Sequence, residues 1–311
     1  MDIITHGLVG MVIGATAKDF PVNRKIFWLV CALAPDLDML SGLGGSIAYY
    51  SYHRRILHGL PGAMILILLL SFLYTRYSRG KITQGLFISG TAIFSHLFLD
   101  VATSFGTSLL YPFSSQDYML DLVFAFDLWL AGGLIVCLVA GCIFSRGRRV
   151  AALAGMIFMA CYLVGCLFCR HWAMKQLDSE IAAGRLASEK AAVLPQPYSP
   201  THWAGYVTTP EGTWAGRFSI FAPTNPDLHL FPLPHRNVLL KIADQTESAR
   251  RFLAFARFPH VEEVESHDRV TFIYTDLRFS FSGVERSNRF YGVKVEISND
   301  GRILSQGLTH E

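Results

Sequence analysis

The sequence predicts an α-helical polytopic membrane domain of about six apolar helices, followed by a small α+β soluble domain. Three observations carry this. Of 311 residues, 51% are apolar and only 16% are charged, and the apolar excess falls almost wholly before about residue 170. Within that part lie stretches long enough to cross a bilayer. Beyond it the pattern changes to short alternating runs, the period-2 signature of strands.

Six apolar segments appear, at about 3–17, 26–40, 57–75, 82–103, 121–144 and 150–169. The last four are long enough to span roughly 30 Å of hydrocarbon at about 1.5 Å per residue. The first two are shorter, so tilted, re-entrant or shielded positions stay open for them. Gly10 and Gly14 on the first have the small-xxx-small spacing that lets membrane helices approach closely.

Loop charges give an orientation. Lys18, Arg24 and Lys25 join segments 1 and 2; Arg76, Arg79 and Lys81 join 3 and 4; Arg146, Arg148 and Arg149 join 5 and 6. The opposite loops hold only Arg54 and Arg55. By the positive-inside rule the first set is cytoplasmic. His6, the Pro35–Asp38 run, the His53–His58 run and the His96–Asp100 pair then fall at one outer, periplasmic face.

The expected division is a helical domain at 1–170, a polar helix and Pro-rich linker at 171–200, and an extramembrane α+β domain at 201–311. In the last, strand-like runs fall near 203–221, 269–282 and 289–297, with a turn signal at Asn299-Asp300-Gly301. An amphipathic helix fits 237–257. The domain is expected on the outer side.

Composition also excludes. The net charge of +3 is small and no basic run interleaves with aromatics, so nucleic-acid binding has no support. All six cysteines lie in apolar segments, where they read as small buried residues rather than a disulfide framework. The first residues carry only Asp2 as a charge, so they lack the basic start of a cleaved signal peptide. No nucleophile elbow, H-E-x-x-H or Walker glycine loop is present.

Ionisable side chains are costly at membrane depth, so a chain that places this many there gathers them for a purpose. His96 and Asp100 are four apart, which puts both on one helix face, suited to one divalent ion or to a private hydrogen bond. Asp36 and Asp38 are two apart; either the helix has ended there, or one carboxylate is a ligand and the other orients a ligand. His58 precedes Pro61 and so lies near a helix start. Arg54 and Arg55 read first as snorkelling anchors, or at a metal site as partners for an anionic substrate. Tyr49, Tyr50 and Tyr52 read as an interfacial aromatic belt.

The series T-H-G-L-V-G at Thr5, A-P-D-L-D at Ala34, H-R-R-I-L-H-G-L at His53, S-H-L-F-L-D at Ser95 and G-T-S-L-L-Y-P-F at Gly106 resembles the YdjM-like, LexA-regulated family of inner-membrane metal-dependent hydrolases. The resemblance covers roughly residues 1–115. It implies a site made of His6, Asp36, Asp38, His53, His58, His96 and Asp100. Arg55, Ile56, Leu57 and Gly59 depart from the family's H-R-G-x-T-H-S pattern, which bears on substrate contacts.

The combined expectation is a multi-pass inner-membrane protein that hydrolyses a phosphoester or another amphiphilic, lipid-linked substrate. Metal ligands would be His6, Asp36, His58, His96 and Asp100, with zinc preferred and Mn²⁺ or Fe²⁺ as alternatives. Asp38 or His53 would orient water or protonate the leaving group, and Arg54 would neutralise phosphoryl charge. The alternative is a non-catalytic, metal-stabilised membrane scaffold or a transporter-like protein. Transport would need acids continuing inward, and segments 3 to 6 offer only Asp121 and Asp127 beyond the cluster.

Overall fold

A computed structural model describes residues 1–17, 22–44, 52–185, 189–221, 226–235, 237–279 and 292–309. Lys18, Tyr49, Tyr50 and parts of the runs at 269–282 and 289–297 lie outside them. The chain divides into two compact units. The first holds Met1–Leu40, Tyr52–His171 and Pro195–Thr201; the second holds Ser41–Ser51, Trp172–Leu194 and His202–Glu311.

The first unit is helical. Helix α1 (Ile3–Thr16) is capped by Asp2, which accepts from the Thr5 N–H at 2.9 Å. It packs on α2 (Val22–Leu33) through its glycines. A Cβ on Gly10 would lie 2.5 Å from the Ala32 Cβ, and one on Gly14 would lie 2.9 Å from the Trp28 ring. Their helical spacing therefore sets the contact as the sequence predicts. Pro35 cannot continue an α-helix, and the chain tightens into a 3-10 segment, Ala34–Gly44.

Helix α3 (Leu60–Ser78) starts after Gly59 with a proline in its first turn and ends on Arg79 in left-handed backbone. Helix α4 (Ile82–Ala102) lies against it. Gly85 brings the backbones together, a Cβ there being 2.9 Å from the Ser71 Cα, and Ser71 and Ser89 hydrogen-bond across the contact at 3.0 Å. Trp28, Ile88, Ile93, Leu99, Leu130 and Leu134 are fully buried between the helices. Ile65, Phe72, Phe87, Val136 and Phe168 are exposed. This apolar exterior suits hydrocarbon, not water.

Helix α5 (Leu128–Ile143) is shorter than the predicted 121–144. Residues 121–127 are not helical: Asp121 has φ 53°, Val123 bridges to Thr103, and Asp127 caps the helix by accepting from the Trp129 and Leu130 N–H groups. Tyr162 also donates to both Asp127 oxygens, at 2.9 and 2.8 Å, so this acid is structurally used. Helix α6 (Arg148–Glu180) is continuous, merging the predicted sixth span with the polar helix after it. Four stretches are long and apolar enough to cross a membrane: Ile26–Leu43, Leu60–Ser78, Ile82–Ala102 and Arg148–Ala183. The expected six therefore reduce to four by this measure; α1 and α5, at 14 and 16 residues, fall short of it.

Two antiparallel four-stranded sheets follow. The first runs in the order β1 (Lys190–Gln196), β2 (Ser199–Thr209), β3 (Gly212–Ser219), β4 (His229–Pro232). Where the sequence suggests a Pro-rich linker, the chain forms β1 and the start of β2. The second sheet is β5 (Pro259–Glu265), β6 (Arg269–Asp276), β7 (Val293–Ser298) and β8 (Ile303–Leu308). The Asn299-Asp300-Gly301 turn joins β7 to β8, with Gly301 at φ 90°. The predicted helix at 237–257 is two, α7 (Val238–Gln245) and α8 (Glu247–Phe255), because Thr246 caps the second. Their apolar faces, Leu240, Ala243, Ala249 and Phe252, cluster with Phe272, Val295 and Ile297 of the second sheet.

Candidate metal centre

Helix α4 places His96 and Asp100 one turn apart, both fully buried. His96 Nδ1 lies 2.7 Å from the Ala32 carbonyl oxygen. In 3-10 register that carbonyl's donor would be residue 35, a proline with no N–H, which leaves the oxygen available. A carbonyl only accepts, so Nδ1 of His96 carries the proton and Nε2 keeps its lone pair.

The turn at 52–59 supplies His58, also fully buried. Its Nδ1 lies 2.8 Å from Asp38 Oδ2, and the other Asp38 oxygen lies 2.8 Å from His53 Nδ1. The backbone N–H of Arg54 donates to Asp38 Oδ2 at 3.1 Å. Asp38 thus ties the turn together and fixes His58 with Nδ1 protonated and Nε2 facing inward. Arg54 sits at φ 60°, and its carbonyl accepts the Ser108 N–H at 3.1 Å. A loop through Gly106, at φ 95°, brings Ser108 there, and the Leu109 carbonyl accepts the Leu60 N–H at 2.8 Å.

The two inward nitrogens, His58 Nε2 and His96 Nε2, are 3.1 Å apart. Asp36 Oδ1 lies 3.7 Å from the first and 3.6 Å from the second. Asp100 Oδ2 lies 3.0 Å from the first and 3.4 Å from the second. Four ligands of a tetrahedral ion with bonds near 2.0–2.1 Å would stand roughly 3.3 Å apart. Five of the six edges of such a tetrahedron are therefore present at suitable length. Asp36 Oδ2 is buried without a hydrogen-bond partner.

His6 completes the cluster. Its ring stacks on His96, with centroids 3.6 Å apart, and its Nε2 lies 3.2 Å from Asp100 Oδ1. His6, His96 and Asp100 make a second, overlapping group of ligand atoms. The same Asp100 oxygen takes the Arg54 guanidinium at 3.0 Å and contacts the Met1 amino group. One oxygen of Asp100 is thereby neutralised from outside while the other faces the two imidazoles.

All eight residues singled out from the sequence meet here, but in distinct positions. His6, Asp36, His58, His96 and Asp100 offer atoms to the centre; Asp38 and His53 stand behind His58. Arg54 is not a snorkelling anchor. It is 6% exposed, bonded to Asp100 and to Thr103 Oγ1 at 3.2 Å, and lies over the Phe105 ring. Arg55 and Tyr52 are outside the cluster. Sequence reasoning missed Thr103 and Ser108, and the Ala32 carbonyl. Thr103, three residues past Asp100, carried a usable signal, since a helix brings positions three apart to one side; a main-chain carbonyl carries none.

The fold and this cluster define a helical, multi-pass membrane protein with a buried His/Asp centre joined to an α+β region. Residues 1–173 match the family described as YdjM inner membrane protein, and the chain belongs to that family. It is similar to YfhP of Bacillus subtilis (strain 168), named as uncharacterized, at 24% identity over 91% of this chain and 88% of that protein. It is also similar to the inner membrane protein YbcI of Escherichia coli (strain K12), at 32% identity over 37% of this chain and 70% of that one. No solved structure matches it.

Proposed function

We propose that this protein is a membrane-bound metal-dependent hydrolase of an amphiphilic phosphoester, with a divalent cation held by Asp36, His58, His96 and Asp100. One observation carries the reading. Two imidazole lone pairs, each fixed by an Nδ1–H bond on the far side of its ring, converge with two carboxylate oxygens in a buried space. Such a focus of negative potential is costly without a cation. The mixed nitrogen and oxygen set suits zinc, with Mn²⁺ or Fe²⁺ next. When bound, such an ion supplies Lewis acidity toward water and an ester oxygen.

The chain's own residues take the remaining roles. Arg54 holds the outer oxygen of Asp100, so in this reading it orients a ligand instead of meeting a phosphoryl group. His53, hydrogen-bonded to Asp38, is the candidate for proton transfer to the leaving group. Asp36 is the least enclosed ligand, at 9% exposed, and its neighbours Leu37 and Leu40 are exposed, as is Ile56 beside the histidines. A substrate with an apolar part would find these side chains at the mouth. The charge distribution of the loops supports an outer-face position for the site and for the C-terminal region.

The test is metal content and hydrolysis of phosphoesters and phospholipids by detergent-purified protein. His58→Ala, His96→Ala and the double variant are compared, each first shown to be monodisperse. Ligands of one ion are non-additive, so either single change should abolish both properties and the second should add little. Well-folded single variants that keep full metal content would sink the reading and leave a non-catalytic scaffold.

A further inference from the structure

Away from this centre, toward the C-terminal end of α1, three helices enclose a second feature. Helices α1, α5 and α6 meet at Gly155, where a Cβ would lie 3.2 Å from Val12 Cγ1 and 3.3 Å from Cys137 Cβ. Beyond that contact the helices part. A groove of about 290 Å³ opens between Met11, Ala15, Leu138, Cys142, Arg148 and Ala152. Its walls are apolar and its one charged lining residue is Arg148. Ile143, Phe144 and Val150, beside it in sequence, are exposed apolar side chains that suit hydrocarbon.

The charge at the mouth is unbalanced. Arg146 and Arg149 flank Arg148, and all three are exposed. The sequence from 128 to 177 has no Asp or Glu. Among the described residues, none of the ion pairs involves Arg148. An apolar slot roofed by an unpaired guanidinium, inside a membrane protein, has the chemistry of a lipid with an anionic phosphate and acyl chains. A zwitterionic lipid would fill the slot but leave the arginines without net compensation.

We propose that the groove binds an anionic phospholipid, with an acyl chain between α1, α5 and α6 and the phosphate on Arg148. Cys142 lines the groove and is exposed; Cys161 is exposed and lies outside it, so it serves as an internal reference. The experiment uses the full chain in nanodiscs of phosphatidylcholine, with and without phosphatidylglycerol. Alkylation of each cysteine by a membrane-permeant maleimide is followed by peptide mass spectrometry.

Phosphatidylglycerol should slow labelling of Cys142 several-fold and leave Cys161 unchanged. Arg148→Gln should weaken that protection about fivefold in lipid titration, the effect expected of one basic residue at a membrane surface, and Arg148→Lys should keep most of it. Equal protection by phosphatidylcholine alone would overturn the proposal. So would equal slowing of both cysteines, or the same protection from inorganic phosphate.

Discussion

Replacing Asp38 by Asn tests the centre without touching a proposed ligand. The carboxylate spends one oxygen on His58 Nδ1 and the Arg54 N–H, and the other on His53 Nδ1. Asn has the same size but only one oxygen and no charge. Its amide oxygen can accept from His58, while its NH₂ must face His53, so the turn should stay folded. The bond to His58 loses its charge assistance, which makes it roughly half as strong, and the imidazole becomes a poorer donor to a cation. Loss of a carboxylate behind a metal-binding histidine costs about 10- to 100-fold in metal affinity, or about 1.4–2.8 kcal/mol. Competition with a chromogenic chelator, on monodisperse protein, measures this directly. Asp36→Asn, which removes a ligand charge, should cost more than Asp38→Asn. An Asp38→Asn protein that binds metal as tightly as the parent would refute the role assigned to Asp38.

Other outcomes follow from the same geometry. Gly62→Ala would push a Cβ to 1.9 Å from the Ile56 carbonyl oxygen, so the turn bearing His58 must move; an overpacking cost of about 1–3 kcal/mol and lower metal retention are expected, read by thermal unfolding and metal analysis. Reporter fusions at Ser78 and Arg148 should report cytoplasm and one after Gly212 the outside; a cytoplasmic signal after Gly212 would mean an odd number of crossings. Phe252→Ala empties a fully buried position between α8 and the second sheet. It should cost about 3–5 kcal/mol there, seen as faster proteolysis of the C-terminal region, with metal content unchanged.

The sequence revealed elements wherever one periodicity acted alone. Stretches at 57–75 and 82–103 predict α3 and α4 closely, and the spacing of Gly10 and Gly14 predicts the α1–α2 contact. Residues 121–127 are apolar enough to pass for helix, yet Asp121 takes left-handed backbone and Leu122 bonds to the Ala102 carbonyl. Hydropathy cannot register such pairing. Pro195 and Pro197 suggest a linker, but β1 is an edge strand, where a missing N–H is tolerated. The apolar stripe at 237–257 runs through Thr246 and conceals the cap that divides it. At the centre, residue types and spacing identified the ligand candidates. They could not show that Arg54 is buried, because a guanidinium beside an apolar segment has the same pattern whether it turns inward or toward the interface.

The centre draws its side chains from α1, the 3-10 segment, the 52–59 turn and α4, so no two neighbouring elements can build it. A chain made from its first residue onward holds His6, Asp36 and His58 long before His96 and Asp100 exist. Until α4 is in place these groups have no common partner, and once it arrives one cation can tie four separate stretches of chain together. In the proposed reading, metal supply then governs biogenesis as well as chemistry. A cell short of the ion would accumulate inserted but unlatched chains, open to membrane proteases before any question of turnover arises.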